Sequence, residues 1–156
     1  MPGVMNYKDY YMQQLSDGQE YQDFVAEQLY RVGLPLFNYA SKKYQQELGE
    51  NKLGVEIKLQ KLLSKTGNLW IEVQEKSNPK NHAYVPSGIF RKDNTWLFVT
   101  GDTSVIYVFA KTLLCKLVEC EKYNIIENKT KTSKGFLMPK GDAEKYAAKI
   151  ITPEII

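Results

Sequence analysis

Two short segments alternate apolar and polar residues: Val55-Glu56-Ile57-Lys58-Leu59, behind Gly54, and Leu69-Trp70-Ile71-Glu72-Val73-Gln74-Glu75-Lys76. A period of two sends successive side chains to opposite faces of an extended chain, so each segment reads as a half-buried strand. In the first, Val55, Ile57 and Leu59 share one face and Glu56 and Lys58 the other. In the second, Leu69, Ile71 and Val73 face one way, and Trp70, Glu72, Gln74 and Lys76 the other. Paired as a hairpin, the segments bring Glu56 and Glu72 onto one face of neighbouring strands, because the offset 72 − 56 = 16 is even. Two carboxylates so placed repel unless a positive charge lies between them, and a divalent cation is the usual one. With lysines on the same face to meet a phosphate, the pattern is that of a metal-dependent phosphodiester-cleaving site. The competing reading is a plain solvated sheet face of an interaction protein, since exposed hairpin faces are routinely rich in Glu and Lys.

The remaining sequence bounds these readings. A chain of 156 residues suits one domain, burying roughly two-thirds of its unfolded surface. Its 43% hydrophobic and 25% charged content is ordinary for a soluble globular protein, which argues against a disordered or membrane-embedded chain. A net charge of +3 permits a nucleic-acid partner without requiring one. Local basic groups are better pointers: Lys42, Lys43, Lys61, Arg91, Lys92 and Lys134 are the candidate phosphate contacts, each otherwise an ordinary solvated surface residue. Cys115 and Cys120, five apart in one expected helix, fall on different faces and make neither a disulfide framework nor a zinc spacing, so a reducing compartment is expected. His82 reads as a loop residue. The chain shows no signal-peptide pattern and no run of about 18 apolar residues, so neither secretion nor membrane spanning is expected.

Residues 1–15 read as an N-terminal arm or a frayed first helix, and residues 16–156 as a single domain. Ser16 with Gln19 is a capping-box pattern, Tyr21, Val25, Leu29 and Val32 form an apolar stripe, and Gly33 ends the helix. A short strand over residues 34–39 and a polar connection over 41–51 precede the two alternating strands. After a loop over 77–87, strands are expected at Ile89-Phe90, 96–100 and 105–109. A helix follows over 111–122 with Leu113, Leu114, Leu117 and Val118 inward, then a short strand over 135–138. The last helix is capped by Asp142 and carries Ala143, Tyr146, Ala147 and Ile150 on one face. This order fits an α/β fold, a mixed central sheet flanked by helices.

The order, with a carboxylate on one strand and Glu72-Val73-Gln74 on the next, resembles the PD-(D/E)XK nuclease superfamily. More narrowly, Gly54 to Lys58, Thr66 to Lys76, Ser87-Gly88-Ile89 and Asp93 are similar to small phage-borne nucleases of that group. The resemblance covers roughly residues 16 to 140 and implies a restriction-endonuclease-like core. It implies that Glu56 and Glu72 are metal-binding carboxylates and the Val73 backbone carbonyl a further ligand, for Mg²⁺ or Mn²⁺. The family's lysine position falls on Gln74, which cannot supply positive charge but would orient the attacking water. Lys58 or Lys76, expected on the carboxylate face, would stand in. Many members also place a metal-directed glutamate on the first helix. At about 100° per residue Gln22 lies about 60° from the centre of the apolar stripe, so Gln22 is the counterpart, with Glu20 reaching round as the alternative. Trp70 is expected to pack beneath a neighbouring helix, with base stacking or walling of the site as alternatives. The resemblance thus implies a metal-dependent nuclease acting on DNA rather than RNA, in the cytoplasm of a bacterial or phage-infected cell, with homodimerisation through the arm open. The Gln22 and Gln74 departures leave room for a catalytically degraded nucleic-acid- or protein-binding module of the same fold.

Overall fold

The computed structural model describes residues 7–33 and 54–153, with side chains of the first helix described from Asp17 onward. Helix α1 runs Tyr7–Arg31, so the capping pattern at Ser16 lies inside it, and residues 7–15 of the expected arm are its opening turns. Nothing in that stretch breaks a helix, and each added residue gains one hydrogen bond once the helix is nucleated. The expected stop holds: Gly33, at φ 86°, donates its N–H to the Tyr30 carbonyl at 3.0 Å. The expected strand over 34–39 and connection over 41–51, with Lys42 and Lys43, lie outside the described residues.

The chain continues through β1 (Val55–Leu59), α2 (Leu63–Thr66), β2 (Asn68–Glu75), β3 (Val85–Pro86), a 3₁₀ turn (Gly88–Phe90), β4 (Leu97–Gly101) and β5 (Ile106–Ala110). Then come α3 (Lys111–Glu119), β6 (Ile126–Glu127), β7 (Ser133–Pro139), α4 (Lys140–Tyr146) and β8 (Lys149–Ile151). The strands form two four-stranded sheets, ordered β1-β4-β5-β8 and β3-β2-β7-β6. The first is mixed, because β1 runs parallel to β4 while β4–β5 and β5–β8 are antiparallel. The second is antiparallel throughout. The fold is α/β, with a second sheet beyond the mixed one expected.

Two apolar layers hold these parts together. Tyr21, Val25 and Leu29 of α1 pack on Val55, Ile57, Val99, Ile106, Val108 and Ile151, one face of the mixed sheet. The other face turns Phe98, Tyr107 and Phe109 toward Leu69, Ile71, Val73, Phe136 and Met138 of the second sheet, with Leu114, Leu117 and Ala143 closing the layer. Phe98, Phe109 and Phe136 are at most 2% exposed, and full burial of such a side chain contributes about 1.5–3 kcal/mol.

Other expectations fail too, among them the Asp142 cap, since the last helix begins at Lys140 behind Pro139. The β1–β2 hairpin does not form: β1 pairs with β4, and β2 with β3 and β7. Helix α2 and its left-handed Gly67, at φ 72°, turn the intervening chain so that β2 enters the other sheet. Ile89-Phe90 is not a strand but part of the 3₁₀ turn that Gly88, at φ 55°, opens; Phe90 N–H donates to the Ser87 carbonyl at 3.0 Å. The last helix ends at Tyr146, and Lys149–Ile151 is β8, paired along β5 with Ile106 opposite Ile151. The open edge of β5 and a buried site for Ile151 outweigh the helical spacing, and β-branched side chains suit a strand.

Where the two sheets approach, Gln60 joins them. Its Nε2 donates to the Trp70 carbonyl and its Oε1 accepts the Trp70 N–H, both at 2.9 Å. Nε2 also donates to Thr100 Oγ1 at 2.9 Å, and that hydroxyl donates to the Lys58 carbonyl at 2.9 Å. Gln60→Leu leaves part-buried peptide groups of Trp70 without these partners, so it should lower stability by about 1–3 kcal/mol, read as a shift in the urea midpoint. A midpoint equal to that of the natural chain would show that the seam is held by other contacts.

Candidate functional site

The parallel β1–β4 register sets Glu56 opposite Phe98. Val55 and Ile57 belong to the α1-side layer, so alternation turns Glu56 to the other face, where it is 1% exposed. Lys58, two residues on, shares that face and reaches back: its Nζ lies 3.4 Å from Glu56 Oε1. The lysine side chain is 46% exposed, so the pair joins a buried carboxylate to an ammonium at the surface.

Glu72 sits in β2 opposite Gly135. Ser133 Oγ donates to its Oε1 at 2.6 Å and Ser87 Oγ to its Oε2 at 3.1 Å. Both serines are buried, at 7% and 0% exposure, so two fixed hydroxyls aim this carboxylate. Ser87 also donates its N–H to the Val73 carbonyl at 3.0 Å. The neighbouring 3₁₀ turn is held by the Cys115 thiol, which donates to the Ile89 carbonyl at 3.2 Å. Burial is the main cause raising that thiol's pKa, so it serves as a donor, not a nucleophile.

Lys58, Leu59, Gln60, Trp70, Glu72, Gly88 and Phe98 line a cleft of about 180 Å³ at the seam between the sheets. The site therefore gathers Glu72 and Lys58 on a common cleft, with Glu56 attached through Lys58. This arrangement replaces the cross-strand hairpin pair expected from the even offset. Among the described residues no group of three or more His, Cys, Asp or Glu side chains gathers.

The other expected residues are less centrally placed. A β-bulge at Val73 makes Glu72 oppose Gly135 and Gln74 oppose Lys134, so the alternation that put Gln74 and Lys76 on the face of Glu72 is broken. Gln74 is half-buried and does not line the cleft. Lys76 donates to the Asn81 carbonyl at 2.9 Å and holds its ammonium 4.6 Å from the Tyr84 ring centroid, away from the cleft. Helix α1 covers the sheet face opposite to Glu56, with Gln22 half-buried and Glu20 exposed, so neither has a direct approach to that carboxylate.

Of the candidate phosphate contacts, Lys61 pairs with Asp17 at 2.5 Å and Arg91 with Glu75 at 3.5 Å. Lys92 is exposed, and the Lys134 ammonium stands 4.5 Å from the Tyr84 ring centroid. Sequence reasoning missed Gln60 and Ser133 as site-building residues, and took Ser87 only as part of the Ser87-Gly88-Ile89 segment. Ser133 is 61 positions from Glu72, and no spacing rule reaches that far.

Gly88 tests the packing behind Glu72. An ideal Cβ there would stand 2.1 Å from the Glu72 carbonyl oxygen, whereas at Gly67, also left-handed, it would meet nothing within 4 Å. Gly67→Ala should cost about 1–2 kcal/mol for its backbone conformation alone. Gly88→Ala should cost clearly more, measured by urea unfolding; equal losses would contradict this close approach.

No helix among the described residues is long and apolar enough to cross a membrane. No protein-family model matches the chain, and neither a curated protein nor a solved structure matches it.

Proposed function

We propose that the chain is a Mg²⁺- or Mn²⁺-dependent nuclease with a restriction-endonuclease-like core, hydrolysing phosphodiester bonds, of DNA in the first instance. The observation that supports this most is the Lys58 ammonium, 3.4 Å from the buried Glu56 carboxylate and on a cleft shared with Glu72. Glu56, Glu72 and the Val73 carbonyl are hard oxygen donors of the kind such cations take, and the Ser87 N–H uses one of that carbonyl's two lone pairs. The cation, when bound, supplies a water of lowered pKa and neutralises charge on the phosphate. Ser87 and Ser133 keep the Glu72 oxygens oriented, and Lys58 offers a positive group to the phosphate oxygens as their charge develops. Lys61, Arg91, Lys92 and Lys134 would contact the nucleic-acid backbone, as would Lys42 and Lys43 from outside the described residues. A reducing, cytoplasmic setting fits the two free cysteines.

A second reading is the same fold used only for binding nucleic acid or a protein. It draws on Gln74 at the family's lysine position and on the pairing of Lys58 with Glu56, which commits the cleft's ammonium to a buried carboxylate.

Glu56→Gln and Glu72→Gln should each abolish metal-dependent cleavage while the fold persists, and Mn²⁺ should raise the Tm of the natural chain but of neither variant. Lys58→Ala should slow cleavage by about 10²–10³-fold, the usual loss for a donor aimed at developing charge. Lys76→Ala should change it only a few-fold, because that lysine is turned to Tyr84. Full activity in both glutamate variants would sink the nuclease reading; binding without cleavage by the natural chain would support the second.

Binding through the basic side chains should weaken with salt by about 0.9 log units per log unit of salt for each phosphate neutralised on duplex DNA. Affinity that does not change with salt would rule out backbone phosphates as the anchoring groups.

A further inference from the structure

Trp70 lies in β2 two residues before Glu72 and lines the same cleft. It opposes Leu137 in the β2–β7 ladder, and Glu72 opposes Gly135, so these four positions share one face of the second sheet. An ideal Cβ at Gly135 would come within 2.9 Å of Trp70 Cζ2, so the indole crosses the bare backbone of that glycine, opposite Glu72 in the ladder. Leu137 is 45% exposed, and Ile126, which pairs with Gly135 on the other side, is 44% exposed. Trp70 itself is half-buried, and beside it on this face Leu137 and Ile126 are exposed apolar side chains. Lys58 brings a cation to the same cleft, while Lys76 and Lys134 stand away from it beside the Tyr84 ring.

An indole on a cleft shared with Glu72 and the Lys58 ammonium suits the face of a nucleobase, with Lys58 near enough to meet its backbone. A base inside a continuous duplex has both faces covered, whereas an unpaired base can stack on an aromatic side chain. We propose that Trp70 is the stacking platform for the base next to the scissile phosphate, so that the cleft takes single-stranded or locally opened nucleic acid in preference to continuous duplex. This rests on the nuclease reading for the word scissile; the stacking itself is tested without cleavage.

The chain has two tryptophans, and Trp96 is 60% exposed and outside the cleft, so Trp96→Phe leaves Trp70 as the sole indole reporter. With EDTA present to prevent cleavage, that variant is titrated with oligothymidylate, a duplex of equal length and an abasic single strand. Trp70 emission should be quenched by oligothymidylate at concentrations about tenfold lower than by the abasic strand or the duplex. Equal quenching by the abasic strand would assign the contact to phosphate alone and overturn the proposal, as would equal quenching by duplex or none by any nucleic acid. An emission change on concentrating the protein by itself would overturn it in favour of a second copy covering this face. In the natural background, Trp70→Leu should raise the KM for a single-stranded substrate about tenfold and leave kcat within about twofold. An unchanged KM with cleavage intact overturns this inference and leaves the nuclease reading standing. Quenching without metal-dependent cleavage does the reverse.

Discussion

The side-chain amide of Gln60 does at the edge of β2 what a neighbouring strand would do. It offers a donor and an acceptor to the Trp70 peptide, at 2.9 Å each, while its own backbone N–H donates to the Gly101 carbonyl at 2.8 Å. An open strand edge carries unpaired peptide groups, and burying such groups costs about as much as a lost hydrogen bond. Gln60 satisfies them without continuing the ladder, so the two sheets touch at a seam instead of merging. The cleft exists because of that seam. Thr100 ties the arrangement to β1 by bonding both the Gln60 amide and the Lys58 carbonyl, so one chain of hydrogen bonds links the peptide before Ile71 to the residue carrying the cleft's ammonium.

The two carboxylates are held by different physics. Glu56 is buried and faces an ammonium; Glu72 is part-buried and receives two hydroxyls. Burying an ion pair is weak support for stability, since desolvation consumes much of the Coulombic gain and apolar residues of similar size often serve as well. The position opposite Phe98 is one where an apolar side chain would join the neighbouring layer. The carboxylate there meets the Lys58 ammonium instead. The hydroxyls on Glu72 act differently: they fix its orientation while leaving its charge uncompensated by any neighbouring ammonium among its hydrogen-bond donors, Ser87 and Ser133.

Local patterns foretold local structure well. The alternation read over 55–59 and 69–76 falls on β1 and β2, and of the stripe Tyr21, Val25, Leu29 and Val32 the first three are the buried face of α1, whereas Val32 lies past its end and is exposed. Pairing was out of reach, because which strand lies beside which depends on contacts far apart in the chain. An even offset between Glu56 and Glu72 is meaningful only within one ladder, and the chain between them folds into α2. The bulge at Val73 has the same character: one extra residue in β2 against β7 is invisible to a period-two count, yet it redirects everything after it. The tail failed for a third reason. Tyr146, Ala147 and Ile150 have helical spacing, but β5 had an edge to fill, and Ala148 N–H joins it by donating to the Val108 carbonyl at 2.8 Å.

The bulge also decides between the two lysines considered for the position that Gln74 leaves without charge. In an unbroken strand Lys76 would lie on the side of Glu72. With the extra residue at Val73, Gln74 is brought opposite Lys134, and Lys76 and Lys134 come to the same tyrosine ring, 4.6 and 4.5 Å from its centroid. Each ammonium there gains from the ring's negative face, about 0.5–1 kcal/mol at an exposed site, and Lys76 gains a carbonyl acceptor besides. Lys58 has no bulge to turn it. It follows Glu56 by two residues in an unbroken parallel ladder, opposite Thr100, and so keeps the face that the alternation assigned to it. In the proposed nuclease, the positive charge that Gln74 does not supply would therefore come from β1, on the other side of the seam that Gln60 holds.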